Sequence, residues 1–248
     1  MPTSDSKATT RPSRPTRKSA PRTLAIDIGG TGLKATVLDA KGAMVAEHLR
    51  VETPHPAPPE VMVAALVDLV KPLPKYDRVS VGFPGVVREG QVLTAPHFGN
   101  DLWRDFPLGE ELRSRLGKPV RVLNDADVQG YGAVRGRGIE FVITLGTGLG
   151  TALFSDGELA PHMEFAQFPF GKHPTFNAYV GDAARKRIGK REWNRRVEKV
   201  IGAFRTLLNF DQMYVGGGNS RHVTIELPDD VHLVSNEDGL TGGVKLWS

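Results

Sequence analysis

The chain of 248 residues contains no cysteine, which excludes disulfide bonds and thiolate metal sites and fits a reducing compartment. It also has no apolar run near the roughly 18 residues that a membrane-spanning helix needs. The first 22 residues lack the apolar stretch of a secretory signal. Together these absences predict a cytoplasmic protein with no membrane partner. Two nucleotide-binding signatures are missing as well. No GxxxxGK[ST] loop occurs, and no GxGxxG motif opens a helix in a βαβ unit.

Hydrophobic residues make up 40% of the chain and charged residues 24%, values ordinary enough for one large or two smaller globular domains. The formal net charge of +4 is not a property of the whole chain. Residues 1–22 carry six basic groups (Lys7, Arg11, Arg14, Arg17, Lys18, Arg22) against Asp5, so the remainder sums to −1. That segment is rich in Ser, Thr, Pro and Arg and has too little apolar surface to order itself. A disordered basic arm is expected over 1–22, with attraction to polyanions as its functional alternative.

The most informative feature is a repeat. GTGL occurs at 30–33 and again at 146–149, each time between two apolar, strand-like runs. The pattern predicts two similar half-domains, each presenting a Gly/Thr turn. Successive N–H groups in such a turn suit phosphate oxygens, and Gly lets a ligand approach the backbone closely. Gly29, Gly30, Thr31 and Gly32 in the first copy, with Lys34 beside them, are candidate phosphate ligands. So are Gly146, Thr147, Gly148 and Gly150 in the second, and Gly216, Gly217 and Gly218 after a later strand. The alternative is a pair of tight hairpins that need Gly for geometry alone.

Strands are expected over 24–28, 33–38, 44–51, 79–87 (interrupted by the turn Phe83-Pro84-Gly85), 120–123 and 212–215, with three more from Phe141 onwards. Helices are expected over 60–70, 107–116 and 126–134, and along the apolar face of Trp193, Val197, Val200, Ile201, Phe204 and Leu208. Strands alternating with helices indicate α/β layering. Asp27 ends the first strand just before the Gly turn. A carboxylate beside a phosphate site needs a cation between them, so Asp27 is read as a water-mediated Mg²⁺ ligand, or else as a turn cap. Asn124-Asp125 follows a short buried strand. Asp125 there suits the base that accepts a hydroxyl proton during phosphoryl transfer, while either residue suits a helix cap.

At this point the motifs become specific. DIGGTGLK (27–34), GFPG (82–85), NDLW (100–103), LNDAD (123–127), LGTGLG (145–150) and VGGGN (215–219) stand in the order seen in the ROK (repressor, open reading frame, kinase) sugar kinases. The chain resembles that family over roughly 23–220, and its branch of short polyphosphate glucokinases through 186–219. The resemblance implies a duplicated actin-like ATPase (ribonuclease H-like) α/β fold with an interdomain cleft. Its domains would span 23–123 and 124–248, with the last segment packing back on the first. It further implies Asp125 as general base and Asn100, Asn124, Glu164, Gln167 and Gly85 at the sugar. The GTG loops would clamp the donor, Gly216 to Asn219 would hold its far end, and the protein would form a homodimer.

Two departures stand out. Where the family has ExGH, this chain reads Glu164-Phe165-Ala166-Gln167, which replaces a sugar-binding His. The family's Cys-rich zinc motif is absent, as in polyphosphate-using members.

A basic run over 181–199 favours the same donor. Arg187, Lys190, Arg191 and Arg195 are candidate polyphosphate ligands there, unless they form a solvated helix face. The expected activity is glucokinase: transfer of a phosphoryl group from polyphosphate or ATP, with Mg²⁺, to the 6-hydroxyl of glucose. An ATP-only hexose kinase and a catalytically weakened sugar sensor are the alternatives. A DNA-binding repressor is not expected, because the Pro-rich tail has no room for a helix-turn-helix, and no specific nucleic-acid partner is predicted.

Overall fold

A computed structural model of the chain describes residues 20–235 and 238–248. The basic arm expected over 1–22 lies outside these residues except for its last three positions. The first half runs β1 (Thr23–Ile28), β2 (Gly32–Leu38), β3 (Leu49–Glu52), α1 (Pro59–Val70) and β4 (Arg78–Phe83). A small hairpin follows, β5 (Val87–Arg88) and β6 (Gln91–Val92), then α2 (Asn100–Trp103), α3 (Leu108–Leu116) and β7 (Val120–Asn124). Helix α4 (Asp125–Ala133) leads into β8 (Ile139–Leu145), β9 (Leu149–Ser155) and β10 (Glu158–Leu159). After α5 (Phe176–Val180) and α6 (Asp182–Leu208) come β11 (Gln212–Gly216), β12 (Val231–Leu233) and α7 (Asp238–Thr241), and a 3₁₀ segment (Gly242–Trp247) closes the chain.

The strands form two five-stranded sheets of identical topology. The orders are β3-β2-β1-β4-β7 and β10-β9-β8-β11-β12. In each, a central strand pairs antiparallel with its hairpin partner on one side and parallel with a later strand on the other. The GTGL repeat marks this duplication, since each copy turns the first strand of a sheet into the second. The fold is the actin-like one expected from the motifs.

Each sheet buries its outer face under helices. Met62, Val63 and Leu66 of α1 and Leu108 and Leu112 of α3 pack with Leu24, Ile26 and Val81 of the first sheet. On the second, Trp193, Val197, Val200 and Phe204 of α6 pack with Phe141, Ile143 and Met213. Those α6 residues are the apolar helical face legible in the sequence. The helix begins earlier than that face, at Asp182, and is interrupted at Gly189, whose φ of 77° lies in the left-handed region.

The expected strand over 44–51 is shorter. Only Leu49–Glu52 forms a regular strand; Met44 makes an isolated bridge to Leu38, and between the two the Thr36 hydroxyl donates to Ala46 O at 2.8 Å.

The inner faces of the two sheets share α4. Tyr131 and Ala133 pack with Ala152, Phe154 and Tyr214 of the second sheet. On the first sheet the N-terminal turn of α4 sits over Gly82, where an added Cβ would lie 3.3 Å from Asp125 Cα. The C-terminal residues complete that side. Leu240 packs on Ala25 and Leu38, and Ser80 of β4 donates to Gly243 O at 2.6 Å while accepting from the Trp247 indole at 2.9 Å. No helix among the described residues is long and apolar enough to cross a membrane.

A helix enclosed on both sides tolerates little extra volume. A Cβ on Gly130 would come within 3 Å of the fully buried Phe154 ring. Gly130→Ala is therefore expected to destabilise the fold by about 1–3 kcal/mol through overpacking, despite the better helix propensity of Ala. Thermal unfolding of the two proteins measures it, and an unchanged or raised midpoint contradicts it.

Candidate active site

Strand β7 passes into α4 without a loop, which fixes the junction residues between the sheets. Asn124 is the N-cap: its Oδ1 accepts from the Ala126 N–H at 2.8 Å, and its Nδ2 donates to Gly85 O at 3.1 Å. Asp125 is the first helical residue, and its Oδ1 accepts from the same N–H at 2.8 Å. A helix N-terminus favours a carboxylate. Here burial outweighs that support and, with the negative charge of Asp27, pushes the Asp125 pKa up to about 7. Asp127 and Glu164 add to the rise. A carboxyl group poised near neutrality in the lining of a cleft has the acidity of a general base.

The cleft has a volume of about 700 Å³ and is lined from both halves of the chain. Gly29, Gly30 and Thr31 of the first turn line it, as do Gly146, Thr147, Gly148 and Gly150 of the second. The first turn is closed by a Gly29 N–H to Gly32 O bond of 3.0 Å and anchored by Thr53, whose hydroxyl donates to Gly29 O at 2.6 Å. Asn177 Oδ1 accepts from the Leu149 N–H at 2.8 Å and braces the second. Gly217 has a φ of 82°, and a side chain there would strike the Leu145 backbone. Only Gly lets the turn after β11 lie against the second GTG turn. Asn219 joins the two by donating to Gly146 O at 2.9 Å.

Asp27 and Lys34 face each other across the first hairpin, with Nζ 3.5 Å from Oδ2. Burial raises the Asp27 pKa, and the charge of Lys34 opposes the rise. Among the described residues no group of three or more His, Asp or Glu is arranged to hold a metal ion by itself. The donor set fits instead a hard cation carried mainly by phosphate oxygens and water, with Asp27 as the nearby carboxylate.

Asp27, Lys34, Gly85, Asn124, Asp125, Glu164, Gln167, Gly217, Gly218 and Asn219 all line the same cleft. Several candidates do not. Gly32 lies behind the first turn against Arg50, and Gly216 lies against Gln129. Asn100 is exposed, with its Oδ1 accepting from the Ala95 N–H at 2.7 Å. Arg187, Lys190, Arg191 and Arg195 are exposed on α6 and do not reach the lining. The basic residues that do are Arg185, Lys186 and Arg221 on one side, with Lys34 and Arg50 on the other.

Asp182 accepts from Arg185 at 2.7 Å and from Lys186 at 2.7 Å, which holds the first turn of α6 at the cleft, and the helix is interrupted at Gly189 before Lys190, Arg191 and Arg195. Those two bonds, with a third from Asn219, hold the Asp182 pKa down to about 2, Lys186 contributing most. Sequence reasoning missed Asp182 as a tie between loops, although its spacing of three and four to Arg185 and Lys186 was visible. It also missed His162, which lines the cleft between Asp127 and Glu164. No sequence spacing marks that residue, because its main partner is on α4, 35 positions away.

Comparison with known proteins places these features. The ROK family profile matches residues 23–163. The polyphosphate glucokinase of Mycobacterium leprae is 31% identical over 220 residues, covering 84% of this chain and 66% of that protein. The chain thus spans just under two thirds of that relative's length. The polyphosphate glucokinase of Mycobacterium tuberculosis H37Rv is 29% identical over 205 residues, with 79% and 77% covered. Among solved structures, the inorganic polyphosphate/ATP-glucomannokinase of Arthrobacter sp. strain KM superposes with a TM-score of 0.82 at 31% identity. That match covers 93% of this chain and all of the other. A ROK family glucokinase from Streptomyces griseus, solved with glucose and AMPPNP, gives 0.76 at 23% identity over 91% of this chain and 98% of that one, a likeness of fold.

The raised pKa of Asp125 carries a stability signature. A carboxyl whose folded pKa lies near 7 against 3.8 unfolded favours the native state below 3.8 and loses that contribution as pH rises to about 7. Asp125→Asn is uncharged throughout. Its melting temperature relative to the parent is expected to rise as pH goes from 5 to about 7 and then level off. A difference independent of pH over that window contradicts the assigned pKa.

Proposed function

The chain belongs to the ROK family, and from that premise we propose that it is a glucokinase that uses inorganic polyphosphate, ATP or both as phosphoryl donor. The observation that carries the reading is Asp125, a buried carboxyl with a pKa near 7, set in one cleft with two Gly/Thr phosphate turns. The mycobacterial relatives are polyphosphate glucokinases, and the Arthrobacter relative is named for both donors.

In the reaction the sugar lies at the base of the cleft, near Asn124, Asp125, Glu164 and Gln167. The 6-hydroxyl oxygen attacks the terminal phosphorus of the donor while Asp125 accepts the hydroxyl proton. The new O–P bond forms as the bond from phosphorus to the bridging oxygen breaks, and the shortened donor leaves with that oxygen. N–H groups of the 29–32 and 146–150 turns and the Lys34 ammonium stabilise the negative charge on the phosphate oxygens. A Mg²⁺ ion near Asp27, when bound with the donor, neutralises further phosphate charge. Closure of the two halves excludes water, to which the phosphoryl group would otherwise be lost.

The donor reaches outward from the turns past Arg185, Lys186 and Arg221. A linear polyanion gains from such cations through counterion release, with strong salt dependence. The exposed cations at 187, 190, 191 and 195 extend this basic surface beyond the cleft, where a long chain would meet them and ATP would not.

Three outcomes are expected when glucose phosphorylation is assayed with ATP and with polyphosphate in parallel. Asp125→Asn lowers kcat by about 10²–10⁴-fold or more while sugar binding persists, and kcat/KM of the parent falls as pH drops below about 7. Lys186→Ala together with Arg221→Ala raises the KM for polyphosphate and flattens its dependence on salt, with a smaller effect on ATP. Near-normal kcat in Asp125→Asn contradicts the assignment of the base, and no phosphorylation with either donor contradicts the function.

A further inference from the structure

His162 lies in the cleft wall with its side chain 10% exposed and a carboxylate at each ring nitrogen. Nδ1 is 2.9 Å from Asp127 Oδ2, and Nε2 is 3.4 Å from Glu164 Oε1. The two partners differ in freedom. Asp127 sits on α4, two residues beyond the catalytic candidate, with its side chain 2% exposed. Glu164 sits on an irregular segment before the short turn Phe165–Gln167, and its side chain is 32% exposed. Among the described residues, His162 is the sole side-chain partner of the Glu164 carboxylate.

We infer that His162 is a positioning residue: anchored on Asp127, it aims the Glu164 carboxylate at the hydroxyl groups of the acceptor sugar. The inference rests on the sugar-kinase reading above and assigns the determinant of sugar affinity within that site. A neutral imidazole has one N–H, so it can satisfy one carboxylate only by turning a lone pair towards the other. The imidazolium form satisfies both. Burial disfavours that charge, but bonds to Asp127 and Glu164 outweigh it and hold the pKa up to about 9. The ring is therefore a cation at neutral pH, fixed at one end and restraining a carboxylate at the other.

The titratable groups facing it are Asp127 from α4 and Glu164 from its own segment, with Asp125 beyond them. Both of these partners raise the Asp125 pKa. A cation between them offsets part of their field, so removing His162 is expected to raise the Asp125 pKa further. The cavity-lining Gln167, at the far end of the same short turn, brings no charge to this task.

The test compares His162→Asn, Glu164→Gln and the double variant in the full chain, with glucose and whichever donor the parent uses. His162→Asn is expected to raise the KM for glucose about tenfold, with a smaller change in kcat, and to move the acidic limb of the kcat/KM profile to higher pH. In the Glu164→Gln background the same substitution should change KM less than about twofold, because the group it acts through is gone. Independently of turnover, NMR titration of the His162 imidazole should show a lower midpoint in Glu164→Gln than in the parent. An unchanged KM in His162→Asn, additive effects in the double variant, or an unmoved imidazole midpoint each overturn the positioning role. A parent inactive on every hexose with both donors overturns the functional reading instead, while the imidazole titration still reports whether the two side chains are coupled. If His162→Asn does not fold, His162→Gln takes its place, and the titration in Glu164→Gln keeps the imidazole intact.

Discussion

Helix α4 is packed against both sheets, and the closeness of its backbone to each of them sets the width of the cleft. Gly82 on β4, Gly150 on β9 and Gly242 near the C-terminus all stand where a side chain would press on α4. At Gly150 the added carbon would meet Ala126 Cβ at 3.0 Å. These absent side chains let the start of α4 sit between the two GTG turns rather than above them. Because β7 runs directly into α4, the first helical residue is presented there on a rigid element. The two Gly/Thr turns line the cleft as loops, whereas the residue proposed as base stands on a helix confined on both sides.

That placement has an electrostatic consequence. Asp27, Asp125, Asp127 and Glu164 approach one another closely enough for the other three to raise the Asp125 pKa. Burying several carboxylates together is unfavourable unless cations accompany them. Lys34 answers Asp27, and His162 answers Asp127 and Glu164. Asp125 alone among the four has no cationic side-chain partner among the described residues, and its support comes from a backbone N–H. The distribution of counter-charge thus leaves Asp125 without an ionic partner, and burial and the neighbouring carboxylates push its pKa up to about 7. On the opposite wall the sign reverses: Arg185, Lys186 and Arg221 gather where a polyphosphate chain or nucleotide would extend.

Much of this was legible in the sequence because it is local. The two GTGL turns, the strands that flank them and the strand ending in Asn124-Asp125 are short patterns whose residue types state their geometry. The apolar face of α6 was legible through its period. What was not legible depends on chain segments brought together from afar. His162 means little as a lone imidazole between Pro161 and Met163, and acquires its meaning from Asp127 on another element. The basic run was visible, but which of its members line the cleft was not. The Asp182 pairs hold Arg185 and Lys186 at the lining, while Arg187, Lys190, Arg191 and Arg195 lie outside it. The packing of the last segment on the first half was expected from the family resemblance and not from any local pattern, since its contacts are with Ser80 and Leu38, far back in the chain.

The two copies of the repeat show how one local pattern is turned to two uses. In the first hairpin Asp27 pairs in register with Lys34, the residue after GTGL. In the second, the residue after GTGL is Gly150, and its register partner is Thr144. The ion pair of one half is therefore a small, neutral pair in the other. Packing supplies the reason: a Cβ at 150 would strike the Thr144 hydroxyl and crowd Ala126 at the start of α4. A lysine there would push the helix, and Asp125 with it, out of the cleft. Lys34, paired with Asp27, instead brings a positive charge to the lining of the cleft. The duplication supplies two equivalent turns, and the single helix between them makes the halves unequal. One half is left to bring charge, and the other to make room for the base.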